Sequence, residues 1–187
     1  LLVSSFVFCF ICIHFYSFFF FFFFYWLDEK TRNGEEPPNA GWQVLVVDDE
    51  PEVHAVTHLA LRRFTFENRP LVVHTASSGQ EALAIAHELG EELAMAIIDV
   101  VMETDRAGLD LVKAIREEVG NHLTRLVLRT GQPGSAPETD VVRDYDINDY
   151  KEKTELTAQK FQTMMYGGLR NYRDLRLMQD AVTAKTH

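Results

Sequence analysis

Short apolar runs alternate with amphipathic stretches along most of this 187-residue chain, from Trp42 onward. The first run, WQVLVV at 42–47, indicates a strand, and in 51–64 apolar residues recur every three or four positions, as on one face of a helix. Strands that alternate with helices favour parallel pairing through right-handed crossovers. We therefore predict an α/β fold, a doubly wound sheet of five parallel strands. The predicted strands are 42–47, 71–76, 93–99, 123–130 and 146–150, and the predicted helices are 51–64, 77–90, 109–119, 136–145 and a long segment from 154 onward.

The first 27 residues differ in composition from the rest: seven consecutive phenylalanines occupy 18–24, and no charged residue precedes Asp28. Such a stretch is long enough to span a bilayer, which takes about 20 apolar residues. It is also typical of low-complexity sequence or an artefact, because it has neither an initiating Met nor the basic region of a signal peptide. A core helix is a third interpretation, and all three stay open. Residues 28–41 are polar and contain Pro and Gly, which predicts a linker before a domain at 42–166.

The charge balance argues against one class of function. The chain has a formal net charge of -10, whereas a domain that binds nucleic acid needs a basic face. The two cysteines, Cys9 and Cys12, lie in the aromatic segment, so we predict no disulfide framework and a reducing compartment. The expectation is a cytoplasmic protein that binds no nucleic acid, tethered to a membrane only if residues 1–27 are a genuine anchor.

Polar residues suited to catalysis follow four of the predicted strands. Asp48 and Asp49 end the first strand and Asp99 ends the third. Thr130 ends the fourth strand, and Lys153 follows the fifth. Since ligands of doubly wound sheets bind at the carboxyl ends of the strands, we expect these side chains to converge. Neighbouring carboxylates repel each other unless a cation binds, and oxygen ligands without His or Cys suit Mg²⁺ better than zinc. A carboxylate on Mg²⁺ beside an amine and a hydroxyl predicts a site that accepts a phosphoryl group.

Four motifs occur in order, each at a predicted strand end: VLVVDDE at 44–50, AIIDVVM at 96–102, LVLRTG at 126–131 and DYKEK at 149–153. Together they resemble the response-regulator receiver domain of two-component signalling, over about residues 42–166. The resemblance implies a flavodoxin-like sheet with strand order 2-1-3-4-5 and a long C-terminal helix.

The same resemblance implies a role for individual residues at the strand ends. These are Asp99 as phosphoacceptor, Asp48, Asp49, Asp99 and the Val101 carbonyl as Mg²⁺ ligands, Thr130 and Lys153 as phosphoryl-binding groups, and Tyr150 as an aromatic switch. Two lysines lie close to the expected position. Alignment with the family's Asp-Tyr-x-x-Lys selects Lys153 rather than Lys151.

Partners and output are also expectations from the resemblance. The phosphoryl donor would be a sensor histidine kinase or a phosphotransfer protein, a homodimer is an option, and the chemistry would be limited to self-phosphorylation and autodephosphorylation at Asp99. Residues 167–187 would be a helical linker to an output region, as in receivers joined to sensory, HD-GYP phosphodiesterase, diguanylate cyclase or kinase regions. A pseudo-receiver that acts as an interaction module without carrying phosphate is the alternative.

Some positions depart from the family pattern or lie apart from it. Glu103 stands where the family usually has Pro, in a loop about one residue longer, and Thr154 replaces the Pro that usually follows the lysine. His54 and His58 have a helical spacing that can bind metal. Without a third ligand, we interpret both histidines as residues of an exposed helix face.

Overall fold

The computed structural model of the protein describes residues 41–131, 143, 145–153 and 157–185. The chain divides into two compact units, Leu1–Ala40 and Gly41–His187, and all described residues belong to the second. The aromatic segment 1–27, the linker up to residue 40 and most of the helix predicted at 136–145 lie outside the described residues. Within the described part, no helix is both long enough and apolar enough to cross a membrane.

Strands and helices alternate as the sequence pattern indicates. The described elements, numbered in chain order, are β1 (Trp42–Val47), α1 (Pro51–Leu61), β2 (Thr65–Phe66), β3 (Arg69–Ala76), α2 (Gly79–Leu89), a 3₁₀ turn (Gly90–Glu92), β4 (Leu93–Asp99), α3 (Ala107–Glu117), β5 (Arg125–Thr130), β6 (Asp149–Glu152) and α4 (Ala158–Thr183).

The sheet has the strand order β2-β3-β1-β4-β5-β6, and neighbours from β3 to β6 pair in parallel. The predicted parallel sheet of order 2-1-3-4-5 is confirmed, with β3 as its second strand. The prediction lacks β2, which pairs antiparallel with the start of β3 through Thr65 and Phe66. Glu67 and Asn68 join these two strands with positive φ angles of 51° and 60°, as in a type I′ hairpin turn. A strand of two residues is too short to produce a recognisable sequence period.

The last strand begins three residues later than predicted. A strand start at residue 146 is wrong, because Asp146 has a positive φ of 49° in a turn and β6 runs from Asp149 to Glu152. Pairing with β5 sets this position, since the register ends at Thr130↔Glu152. As a result, Lys153 directly follows β6, at the edge of the sheet where β5 also ends.

Two apolar clusters form the core, one on each face of the sheet. Strand β4 is buried along its whole length, and from Met95 onward its side chains alternate between the clusters. Helices α2 and α3 cover one face, and α1 and α4 cover the other. A central parallel strand buried on both faces has a continuous apolar sequence, as LAMAII does here.

Helix α4 has its fully buried side chains in its first part, although Arg176 and Gln179 farther along still contact Glu91 of the domain. It buries residues at a spacing of three or four, namely Phe161, Met165, Leu169 and Tyr172. Full burial of each such side chain contributes about 1.5 to 3 kcal/mol. The helix continues to Thr183, and along this second half Leu177, Met178 and Val182 are exposed.

Candidate functional site

Four carboxylates lie together at the carboxyl ends of β1 and β4. Asp48 directly follows β1, Asp99 ends β4, and Asp49 and Glu50 lie in the turn to α1. One oxygen from each of the four lies within 4.8 Å of the others. Asp48 and Asp99 are buried, whereas Asp49 and Glu50 are exposed. The structure thus brings together the three acids selected from the sequence and adds Glu50.

Strand pairing puts the two buried acids side by side. In the parallel register of β1 with β4, Val47 lies opposite Ile98, so Asp48 and Asp99 continue the same register by one residue. The chain then reverses at Pro51, which begins α1 in the first-turn position that suits its fixed φ and missing N–H. The buried strands β1 and β4 therefore end in two acids, Asp48 and Asp99, that the strand pairing holds next to each other.

Lys153 supplies positive charge to this cluster. Its Nζ lies 2.8 Å from Asp99 Oδ2, 3.1 Å from Asp48 Oδ2 and 3.0 Å from Glu50 Oε1. Burial disfavours the charged amine, but hydrogen bonds to the three carboxylates outweigh burial, so the pKa of Lys153 is raised and the amine stays protonated. Lys151 pairs instead with Asp149, at 2.9 Å. Of the two candidate lysines, Lys153 is the one that contacts the acids.

Asp99 is an incompletely compensated buried charge. Burial raises the pKa of Asp99 above its ordinary value, and the charge of Asp48 acts in the same direction. The hydrogen bond and charge of Lys153, and the charge of Arg129, oppose this rise. Asp99 Oδ1 is buried and has no hydrogen-bond partner among the described residues. A cation or another ligand that reaches this oxygen would therefore stabilise the site.

We expect Asp99→Asn to stabilise the protein by about 1 kcal/mol in the absence of divalent cations, because it removes a poorly compensated buried charge. The folded-state pKa of Asp99 is raised, so the folded protein holds the proton more tightly than the unfolded chain does. The cost of ionisation is therefore present at neutral pH and disappears as the pH falls through the folded-state pKa. Urea unfolding in EDTA should show the gain at neutral pH and a smaller gain in acid. A variant less stable than the parent at neutral pH would contradict this account.

The remaining positions implied by the sequence lie on β5 and β6 and in the loop that follows β4. Thr130 ends β5 and is fully buried, one residue beyond the register partner of Asp99. Tyr150 is buried against the α2–α3 side of the core and pairs in register with Leu128, two residues before Thr130. Val101 is half-buried in the loop that follows β4.

Arg129 is a site residue that the sequence analysis missed. Its Nη2 donates to Asp48 Oδ2 at 2.8 Å, and both side chains are buried. The available signal was a charged residue inside the apolar run LVLRT. A buried strand admits an arginine only where a partner neutralises it, and the acids of the neighbouring strand ends were the candidates.

Glu103, the departure from the family pattern, anchors the loop after Asp99. Its Oε1 accepts a hydrogen bond from the backbone N–H of Gly79, the first residue of α2, at 2.9 Å. A carboxylate at a helix N-terminus is favourable because unpaired N–H groups and the helix dipole point toward it. At the other end of the loop, the Gly108 N–H donates to the Val100 carbonyl at 3.1 Å. The longer loop is therefore tied down at both ends.

The composition of the acidic cluster fits Mg²⁺. Asp48, Asp49, Glu50 and Asp99 offer hard oxygen ligands only, and Asp99 Oδ1, which has no partner among the described residues, is one that a cation can use.

The interpretation of both histidines as exposed holds for His58 but is wrong for His54. The ring of His54 is half-buried, and its Nε2 lies 2.7 Å from the carbonyl oxygen of Asp48.

Comparison with known sequences identifies the family. The family model described as the response regulator receiver domain matches residues 44–164. The chain is also 53% identical, over 146 residues, to 3'3'-cGAMP-specific phosphodiesterase 2 of Vibrio cholerae serotype O1. That match covers 78% of this chain and 28% of the relative, so the chain spans less than a third of the relative's length.

Solved structures share the fold. A response regulator receiver domain protein from Clostridium thermocellum superposes with a TM-score of 0.60 at 22% identity, over 71% of this chain and 98% of its own. The signal receiver domain of an HD domain-containing protein from Pseudomonas fluorescens Pf-5 gives 0.62 at 17% identity, over 77% of this chain and 97% of its own. Since the family match runs from β1 into α4 and the sheet has the strand order that the motifs imply, the chain belongs to the response regulator receiver domain family and carries the receiver of a two-component response regulator.

Proposed function

We propose that Asp99 accepts a phosphoryl group from a phosphohistidine of a sensor histidine kinase or a phosphotransfer protein. The observation that carries the proposal is the contact of Lys153 Nζ with Asp99 Oδ2 at 2.8 Å, inside a cluster of acids. In the transfer, a carboxylate oxygen of Asp99 attacks phosphorus and the bond from phosphorus to the donor imidazole nitrogen breaks. The imidazole keeps that electron pair, and Asp99 becomes an acyl phosphate.

The residues around Asp99 would have separate tasks. Asp48, Asp49, Asp99 and the carbonyl of Val101 would hold Mg²⁺, which when bound offsets the negative charge of the acids and the phosphoryl oxygens. The Lys153 ammonium would donate to one phosphoryl oxygen, and the Thr130 hydroxyl to another. A hydrogen bond of this charged kind contributes about 1.5 to 3 kcal/mol.

The phosphorylated state would be read on the face formed by β6 and its neighbours. Movement of Thr130 toward the phosphoryl group would open space near Leu128, the register partner of Tyr150. Tyr150 would then repack inward, which changes the surface that β6 presents. Phosphorylation would act by shifting the population of two packings, because it stabilises one of them selectively.

We propose residues 42–166 as the receiver and 167–187 as its connection to an output region. Helix α4 still buries Leu169 and Tyr172 in the receiver core and then continues to Thr183 with exposed apolar residues, which supports a helical connection that starts within the domain. The Vibrio cholerae relative is named as a phosphodiesterase specific for 3'3'-cGAMP. We accordingly propose a cyclic-dinucleotide phosphodiesterase as the output that phosphorylation of Asp99 controls.

Phosphoryl uptake can be tested directly by intact-protein mass spectrometry. With Mg²⁺ and acetyl phosphate or phosphoramidate, most of the parent protein should gain the mass of one phosphoryl group. Asp99→Asn should abolish the gain, and so should EDTA. Asp105→Asn changes an exposed acid of the following loop and should be modified like the parent. A folded parent that gains no mass would favour the alternative, an interaction module that carries no phosphoryl group.

A further inference from the structure

Arg129 places a positive charge in a row of acids. Strands β1, β4 and β5 are neighbours, and Asp48, Asp99 and Arg129 lie at their carboxyl ends. Asp99 and Arg129 are paired in register. Arg129 is 6% exposed, so bulk water solvates its charge poorly and the guanidinium needs an anion within the fold.

Asp48 is that anion. The Nη2 of Arg129 donates to Asp48 Oδ2 at 2.8 Å, and Lys153 Nζ lies 3.1 Å from the same oxygen. Asp48 Oδ1 accepts the backbone N–H of Glu50 at 3.1 Å. Both oxygens of Asp48 are therefore engaged by the protein itself. A metal ion that uses Asp48 has to weaken or replace one of these contacts.

The charges of the cluster show what this arrangement does. Among the residues that the structure describes, four carboxylates face two cations, Lys153 and Arg129, which leaves two negative charges uncompensated. Without Arg129, three negative charges would remain uncompensated, and Lys153 would be the one cation left in contact with Asp48 Oδ2 among these residues. Attraction for a divalent cation grows with the uncompensated charge of the site, more strongly where the site is partly buried. Removal of Arg129 should thus favour metal binding and disfavour the metal-free fold.

We propose that Arg129 competes with Mg²⁺ for Asp48, and that this competition sets the Mg²⁺ concentration at which the receiver becomes ready for phosphorylation. The inference rests on the proposed function, since it takes Mg²⁺ as the cofactor. Arg129 is a positioning residue that acts through Asp48. Arg129 binds Asp48 in the metal-free state and releases this carboxylate when the cation binds.

Calorimetric titration of Mg²⁺ into the parent and into Arg129→Met tests the competition without any phosphorylation step. Methionine keeps the length and apolar stem of the side chain and removes its charge. The Mg²⁺ dissociation constant should fall by about tenfold, the effect of one lost charged hydrogen bond. Thermal unfolding should give a lower Tm than the parent in EDTA and a larger rise on addition of Mg²⁺.

Three further variants separate competition from general effects. Lys151→Met removes the positive charge of the residue that pairs in register with Arg129. Because Lys151 forms an ion pair with Asp149, the Mg²⁺ dissociation constant of this variant should stay near that of the parent. Arg129→Lys keeps the charge and should restore most of the parent affinity. In an Asp48→Asn background, Arg129→Met should no longer tighten Mg²⁺ binding, because the contested carboxylate is gone.

The outcomes distinguish a failure of the proposed Mg²⁺ site from a failure of the competition between Arg129 and Mg²⁺. A folded parent that binds no Mg²⁺ would overturn both the proposed metal site and this inference. A parent that binds Mg²⁺ while Arg129→Met binds it equally or more weakly would overturn the inference alone. If Arg129→Met does not fold in EDTA, Arg129→Gln carries the test, since its amide can still donate to Asp48 without the charge. An Arg129→Gln protein with parent affinity would then count against competition.

Discussion

Replacing Lys153 with alanine should weaken binding of the phosphoryl mimic beryllofluoride by about tenfold to a hundredfold, the effect of losing one charged hydrogen bond of about 1.5 to 3 kcal/mol. Lys153 Nζ lies 2.8 Å from Asp99 Oδ2, within reach of a group attached to that carboxylate. No other lysine contacts Asp99 in the described part of the chain. The amine is therefore the donor whose loss the site is least able to replace.

The measurement requires saturating Mg²⁺, because loss of Lys153 also leaves the acids more negative and changes their affinity for the cation. Nuclear magnetic resonance can follow beryllofluoride binding through the backbone signals of the site and of β6. Lys151→Ala is the matched control, since Lys151 pairs with Asp149 and should bind the mimic like the parent. Equal losses in both variants, or a loss in Lys151→Ala alone, would overturn the assignment of Lys153.

Gly108→Ala should destabilise the protein by about 3 kcal/mol or more, as severe backbone clashes in a packed core do. A Cβ at Gly108 would overlap the carbonyl oxygen of Asp99 and lie 2.9 Å from the Val100 Cα. Both neighbours are backbone atoms at the end of β4, so no side chain can turn away to relieve the clash. Helix α3 approaches the end of β4 this closely only because residue 108 has no side chain.

Urea unfolding with and without Mg²⁺ measures this effect. Gly167→Ala, in helix α4, is the matched control, because a Cβ there meets nothing within 4 Å. That change should stabilise the protein by up to about 1 kcal/mol, the helix propensity difference between the two residues. A Gly108→Ala protein as stable as the parent would show that α3 can shift away from β4 at little cost.

The central strands and the acidic residues followed from local sequence pattern. Val44–Val47 and Leu93–Ile98 are apolar at every position, which is how a parallel strand covered on both faces reads. Asp48 and Asp99 come directly after these runs. Carboxyl ends of parallel strands share one edge of the sheet, so the acids could be expected to meet. Their convergence depends on strand direction and burial alone, and both leave a signal within a few residues.

Other features carry no such local signal. Strand β2 contributes only two residues. The start of β6 is set by its pairing with β5, and the prediction from the local pattern placed this start three residues too early. Glu103 departs from the family pattern, and only the structure shows that its contact with Gly79 ties the loop to α2. Each of these features depends on a partner element that the local pattern does not name.

The sequence by itself determined the alternation of strands and helices and the acids at the strand ends. Alignment with the family had selected Lys153, and only the tertiary structure added Arg129 and Glu50 to the cluster. Asp48 and Arg129 are 81 positions apart in the chain, and Glu50 and Lys153 are 103 apart. Hydrogen bonds of about 3 Å between such distant residues require that several strands pair in one register, because a shift by one residue turns a side chain to the other face. Burial periodicity is a property of each segment, whereas register is a property of the assembled sheet.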